Sequence, residues 1–140
     1  MTYLDTSVLA AYYCPETLSP KAEDAILRAE PPAISQLVEV ELHSALARKI
    51  REGVLTKADG VRIMTQFRLH LHDAYYHRVP IEAVHYAIAG EWIGRFSTAL
   101  RTLDALHLAV TFSSDAVLLT ADAGLAEAAR HFGVRLQFLS

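Results

Sequence analysis

Four acidic residues, Asp5, Glu41, Asp104 and Asp122, fall where an α/β chain would bring them to one edge of a parallel sheet. Asp5 closes the opening run Thr2-Tyr3-Leu4-Asp5, and Asp122 follows the apolar run Ala116-Val117-Leu118-Leu119-Thr120. Both therefore stand at the carboxyl ends of strands, where open α/β sheets place their ligands. Carboxylates gathered there without a cation would repel one another and take up protons, so a divalent metal is the natural compensation. An all-oxygen set suits a hard ion that keeps several waters, Mg²⁺ or Mn²⁺, and disfavours zinc. A hydrated ion held this way acidifies and orients a bound water and neutralises charge on a phosphate in line with it, which is chemistry for cutting a phosphodiester.

Each acid taken singly has a plainer role. Asp104 and Asp122 stand where helix N-caps stand, and Asp is favoured there because its side chain satisfies a free backbone N–H. Asp5 could begin a turn, and Glu41 could be a solvated helix residue, although Val38 and Ala45 one turn to either side tilt it toward the core. Three of the four share one kind of place, a strand end or a helix start, and that coincidence favours a common site. The seven histidines show no Cys/His ligand spacing. His70 and His72 differ by two, would point to different sides of the helix they end, and read as solvated. His107, three residues after Asp104, can approach the same helix face and is a candidate auxiliary group.

The elements that must position these residues alternate along the chain. Thr2 to Asp5 is a short strand, and Leu18 to Glu30 carries Ala22, Ala25, Ile26 and Ala29 at helical spacing before Pro31-Pro32 stops it. Ala33 to Ser35 is a second strand. Gln36 to Glu52 is a helix with Gly53 as its stop, and a further helix runs from the N-cap Thr56 to Asp73. A strand over Arg78 to Ile81 precedes a helix through Trp92 to Phe96 and another from Asp104 to Phe112. A final βαβ unit follows, with a buried-type strand to Thr120, a helical stripe of Leu125, Ala128, Ala129 and Phe132 ended by Gly133, and an edge strand from Val134 to Phe138. The pattern predicts a single domain over residues 1–140, a three-layer α/β/α fold with a mostly parallel central sheet.

With 140 residues, 52% hydrophobic and 21% charged, the chain can close one core. No apolar run approaches the length of a membrane helix and no basic, apolar leader opens the chain, so a soluble cytoplasmic protein with no membrane partner is expected. The lone Cys14 can form no disulfide within the chain and reads as a buried apolar residue. Net charge is −3, but setting aside the four proposed ligands leaves 12 acids against 13 bases, so local basic patches remain available to a nucleic acid. Arg48, Lys49 and Arg51 cluster at the end of the Glu41 helix, and Arg62, Arg68, Arg95 and Arg101 are scattered; most read as ordinary surface. Tyr12, Tyr13, Tyr75, Tyr76 and Trp92 could stack on bases, with packing the simpler use.

Four segments, Tyr3-Leu4-Asp5-Thr6-Ser7, Ile34 through Leu42, Leu103 through Ala109, and Leu118 through Asp122, are in this order and spacing similar to those of PIN-domain ribonucleases, specifically the VapC toxins of toxin-antitoxin pairs. The resemblance implies an endoribonuclease requiring Mg²⁺ or Mn²⁺, with Asp5, Glu41, Asp104 and Asp122 as an acidic tetrad and Thr120 or Thr6 as polar support. It also implies a homodimer, a cognate antitoxin that occludes the site, and a structured RNA substrate such as tRNA or ribosomal RNA. Glu39 competes with Glu41 for the second position but fits the segment less well. Two other readings stand beside it: a PIN-like module that binds RNA or a protein without cutting, and a receiver-like signalling domain, which lacks the Lys expected after the last strand. A dehalogenase-type phosphatase would open with Asp-x-Asp, whereas this chain has Asp5-Thr6-Ser7.

Overall fold

The chain enters the middle of its sheet at once. In the computed structural model, which describes residues 1–140, β1 (Thr2–Leu4) pairs in parallel with β2 (Pro32–Ile34) on one side and β4 (Val117–Thr120) on the other. The outer strands are β3 (His77–Arg78), beside β2, and β5 (Leu136–Phe138), beside β4, giving the order β3-β2-β1-β4-β5. All four pairings are parallel, so the sheet is wholly rather than mostly parallel. Consecutive residues Tyr3 and Leu4, Ala33 and Ile34, Leu118 and Leu119 are all fully buried, which means that both faces are covered, as parallel sheets require. The order differs from the 2-1-3-4-5 order of receiver-type sheets and reverses its direction between β1 and β4. That reversal is the crevice where doubly wound sheets bind ligands.

Seven helices make the covering layers: α1 (Thr6–Tyr13), α2 (Ser19–Arg28), α3 (Gln36–Arg51), α4 (Lys57–His72), α5 (Ala83–Gly94), α6 (Thr102–Ser113) and α7 (Ala123–His131). Their ends follow local chemistry. Thr56 and Asp59 form a capping box at α4, while Gly53 and Gly133 take positive φ of 76° and 71° just past α3 and α7, a conformation that favours glycine. Cys14 is buried, and no helix is long and apolar enough to cross a membrane.

Four expectations need correction. Helix α1 has no counterpart in the sequence reading, because its buried residues Val8, Leu9, Ala11 and Tyr13 give no single apolar stripe. Strand β3 covers His77–Arg78 rather than residues 78–81. Arg101, not Asp104, is the N-cap of α6, and Asp104 stands in its first turn. His70 is half-buried, bonded to the Tyr13 hydroxyl at 2.6 Å and stacked on Tyr75, part of an aromatic cluster with Phe67 and Tyr76. The tyrosines thus serve packing, as does Trp92, which lies flat on Phe132 with ring centroids 4.6 Å apart.

Candidate functional site

Asp5 follows β1 directly and lies at the bottom of the reversal crevice, 4% exposed. Its Oδ1 accepts hydrogen bonds from the Ser7 hydroxyl at 2.6 Å and the Val8 N–H at 3.3 Å, and its Oδ2 accepts from the Thr120 hydroxyl at 2.8 Å. Ser7 Oγ in turn accepts the Ala121 N–H at 2.9 Å, and Thr120 Oγ1 accepts the Asp122 N–H at 3.0 Å. The ends of β1 and β4 are thus tied together through side chains just beyond their ladder. Burial raises the Asp5 pKa above the ordinary carboxylate value, and the bonds from Ser7 and Thr120, the nearby His107 and the Val8 N–H only partly offset it. Sequence reasoning named Thr6 and Thr120 as support and missed Ser7, whose signal was its position two residues after Asp5.

Glu41 reaches the crevice from α3. Its Oε1 accepts from the Thr6 hydroxyl at 2.9 Å and lies 2.5 Å from His107 Nε2 on α6. Both contacts use Oε1, which leaves Oε2 for an ion or a water. His107 is 2% exposed, and its Nδ1 lies 2.7 Å from the hydroxyl of Tyr3, which is itself 2.8 Å from Ser35 Oγ. Burial pushes the Glu41 pKa up, but the bond to His107, its charge and the Thr6 hydroxyl together outweigh that and hold the carboxyl below its usual value. Glu39, the competitor, faces elsewhere and pairs with Arg78 on β3.

Asp122 is exposed and caps α7, its Oδ1 accepting the Leu125 N–H at 3.1 Å. Asp104 is half-buried and its pKa is raised by burial first and then by the charges of Asp122 and Glu41, with His107 and Arg101 opposing. The structure therefore brings Asp104, Asp122 and Glu41 within electrostatic reach of one another, around a cleft of about 430 Å³ lined by Thr6, Ser7, Glu41 and Asp122. Arg48 and Arg51 line the same cleft, about two and three turns along α3 from Glu41, so these two are set apart from the other surface arginines. No three of the acidic, histidine or cysteine side chains close into a ready-made metal cage. The donor set still fits a hard cation. It is all oxygen, Asp104 is left without a hydrogen-bond donor beside two like charges, and Mg²⁺ is commonly held by one or two carboxylates with water completing its shell.

A wholly parallel, doubly covered domain with carboxylates clustered at its switch point defines an acidic-site α/β protein. Residues 2–131 match the family model described as PIN domain, and the chain belongs to the PIN-domain family. Solved structures of similar fold include VapC20 of Mycobacterium tuberculosis, a Sarcin-Ricin loop cleaving toxin, with TM-score 0.73, 20% identity, and coverage of 91% of this chain and 95% of that one. FitAcB from Neisseria gonorrhoeae gives TM-score 0.72 at 16% identity, covering 97% of this chain and 96% of that one. VapBC2 from Rickettsia felis, bound to a DNA fragment from its promoter, gives 0.72 at 16% identity with both chains fully covered. At these identities the likeness is one of fold. No curated protein matches the sequence.

Proposed function

We propose that this PIN-domain chain is a metal-dependent endoribonuclease, the toxin of a type II toxin-antitoxin pair, using Asp5, Glu41, Asp104 and Asp122 as its acidic tetrad. The observation that carries the reading is the pairing of opposite charges in one cleft: Glu41 and Asp122 line it together with Arg48 and Arg51. Acids that need a cation and arginines that suit a phosphate chain belong together in a site for a polyanion. Similarity to toxin-antitoxin proteins, several solved as complexes, supports a cognate antitoxin as partner. On this reading the protein works in the cytoplasm as a homodimer until the antitoxin blocks the cleft.

Asp5, Asp104 and Asp122 would hold Mg²⁺ or Mn²⁺, with Glu41 Oε2 completing the acidic rim. The ion would supply an acidified, oriented water and charge neutralisation at the phosphate. The residues do the rest. Thr6 and His107 fix Glu41 Oε1 so that the carboxylate cannot swing away, and Ser7 and Thr120 do the same for Asp5. Arg48 and Arg51 hold the backbone in line. Water attacks phosphorus opposite the 3′-oxygen, the P–O3′ bond breaks, and the proton lost by water is balanced by one delivered to that oxygen. The products carry a 3′-hydroxyl and a 5′-phosphate.

Incubating total cellular RNA with the purified protein tests this, with Mg²⁺ or Mn²⁺, with EDTA, and with Asp104→Asn alongside. Discrete fragments bearing 5′-phosphates, lost in both controls, are expected. Binding of RNA without cleavage under every condition would transfer the assignment to a non-cutting PIN module.

A further inference from the structure

The cleft does not end at the acids. Leu103 and Asp122 help to line it, and a second cavity of about 270 Å³ is lined by Ser97, Thr98, Arg101, Asp104, Glu127 and His131. The two spaces share the first turns of α6 and α7: Leu103 and Asp122 face one, Asp104 and Gly124 the other. The two spaces are therefore neighbours across the starts of these helices. Its size falls near the lower limit of small-molecule pockets, which suits one flat group and no more.

The lining says what kind of group. A phosphate pocket concentrates donors. Here the Arg101 guanidinium and the Ser97 and Thr98 hydroxyls stand opposite the carboxylates of Asp104 and Glu127, and His131 Nε2 lies 3.1 Å from Ser97 Oγ. Two carboxylates repel an anion, whereas a neutral nucleobase edge carries donors and acceptors side by side and needs both.

Phe96 adds an independent observation. It is 88% exposed, more than any other large apolar residue of the chain, and immediately precedes the lining residue Ser97. Its backbone sits at φ 54°, just past the end of α5, with its N–H donating to the Ile93 carbonyl at 3.0 Å. Glycine is the usual residue in that conformation, and a side chain there is strained. The same positive φ recurs just past α4 and α6, at Ala74 and Asp115, so the conformation is a common helix ending in this fold; what sets Phe96 apart is a solvent-facing aromatic ring that gains nothing for the core. Unpaired RNA bases stack on aromatic rings of this kind.

We infer that this cavity, with Phe96 at its rim, takes the unpaired base of the nucleotide next to the scissile phosphate and gives the site a base preference. Its place in the reaction rests on the nuclease reading; the binding itself does not.

The test is an NMR titration of the ¹⁵N-labelled full chain in EDTA with adenosine, guanosine, cytidine and uridine, and with ribose as the control. Saturable shifts are expected at the amides of residues 97–101 and 124–131, with at least one nucleoside bound about fivefold or more tighter than ribose. Phe96→Gly should fold and melt at or above the wild-type temperature, since glycine suits φ 54°, yet bind that nucleoside about fivefold more weakly. Arg101→Gln should weaken it as well. Shifts that ribose reproduces, that fail to saturate, or that both variants leave unchanged would overturn the inference. A chain that binds a base here but cuts no RNA would defeat the nuclease reading alone. A nuclease with no base bound here would defeat this inference alone.

Discussion

The Tyr3 hydroxyl lies 2.7 Å from Nδ1 of His107, so a residue of the central strand governs how an imidazole on α6 presents its other nitrogen to Glu41. A single run of bonds links Ser35 Oγ, the Tyr3 hydroxyl, the His107 ring and Glu41 Oε1, so every group in the chain has a partner. Burial, reinforced by the carboxylates of Glu41 and Asp5, pushes the Tyr3 pKa far up and keeps its proton in place, although the Ser35 bond opposes this.

Tyr3→Phe removes the middle of that chain and strands two buried partners. Urea unfolding should show a loss of about 1–3 kcal/mol, the range for a buried polar group left unpaired. Cleavage should fall by about 10–100-fold, as when outer partners of a metal ligand are removed. Adding Ser35→Ala should restore part of the stability and none of the cleavage.

The metal-free protein should gain stability as the pH falls from neutral. Asp5 and Asp104 have raised pKa values in the folded chain, each mainly through burial, so the folded state binds more protons than the unfolded one at mildly acidic pH. The gain builds as the pH passes down through the raised values and is complete near the unfolded value of about 4. Glu41, held low when folded, works in the opposite direction, and its contribution is lost only below about pH 4. Urea midpoints in EDTA should therefore rise from pH 7 to about pH 5, and the double variant Asp5→Asn with Asp104→Asn should show a flat profile and a higher midpoint at pH 7. A wild-type midpoint that drops over this range would contradict the placement of these two acids.

Asp122 stands in two structures at once, the acidic rim and the N-cap of α7. Asp122→Ala should lose cleavage and about 0.5–2 kcal/mol of stability, whereas Asp122→Asn should keep the cap and lose cleavage alone. Thermal melts beside RNA digests of the two variants separate the roles. Equal melting of both would remove the cap from the account.

Arg48→Gln and Arg51→Gln should leave the fold unchanged, since both side chains are exposed and make no ion pair with an acid of the chain. If both contact phosphates, each should weaken RNA binding and lower the slope of log affinity against log salt by about 1. Fluorescence anisotropy of a labelled oligoribonucleotide across a salt series reads both effects.

Asp5, Asp104 and Asp122 were legible as candidates because each falls at a strand end or a helix start, a position that turn and cap chemistry marks in the sequence, and Glu41 because Val38 and Ala45 tilt its face of α3 toward the core. Short apolar runs likewise announced β1 and β4, and helical spacing with cap or stop residues announced α3, α4 and α7. What stayed hidden depends on contacts between residues far apart. Ser7 looks like any serine after a strand until Thr120 and Ala121 arrive beside it, 113 and 114 residues later. His107 was singled out for its spacing from Asp104, yet its partners are Tyr3 and Glu41, which no local pattern connects to it. Helix α1 is covered too completely to leave an amphipathic trace, and β3, two residues long, is too short to leave any. Arg48 and Arg51 could be told from the remaining arginines only once α3 was seen to run along the cleft.

The sheet order has a consequence for the life of the chain before it is finished. Asp5 is made more than a hundred residues before Thr120, the end of the strand β4 that braces it, and before the cap at Asp122. On a ribosome, Asp5 waits while more than a hundred further residues are added before its partners at Thr120 and Asp122 can emerge from the exit tunnel. A partly translated chain carries the acids without the place where they meet. If the chain cuts RNA as proposed, a site whose acids lie more than a hundred residues apart stays unassembled beside the ribosome and the message until both have been made.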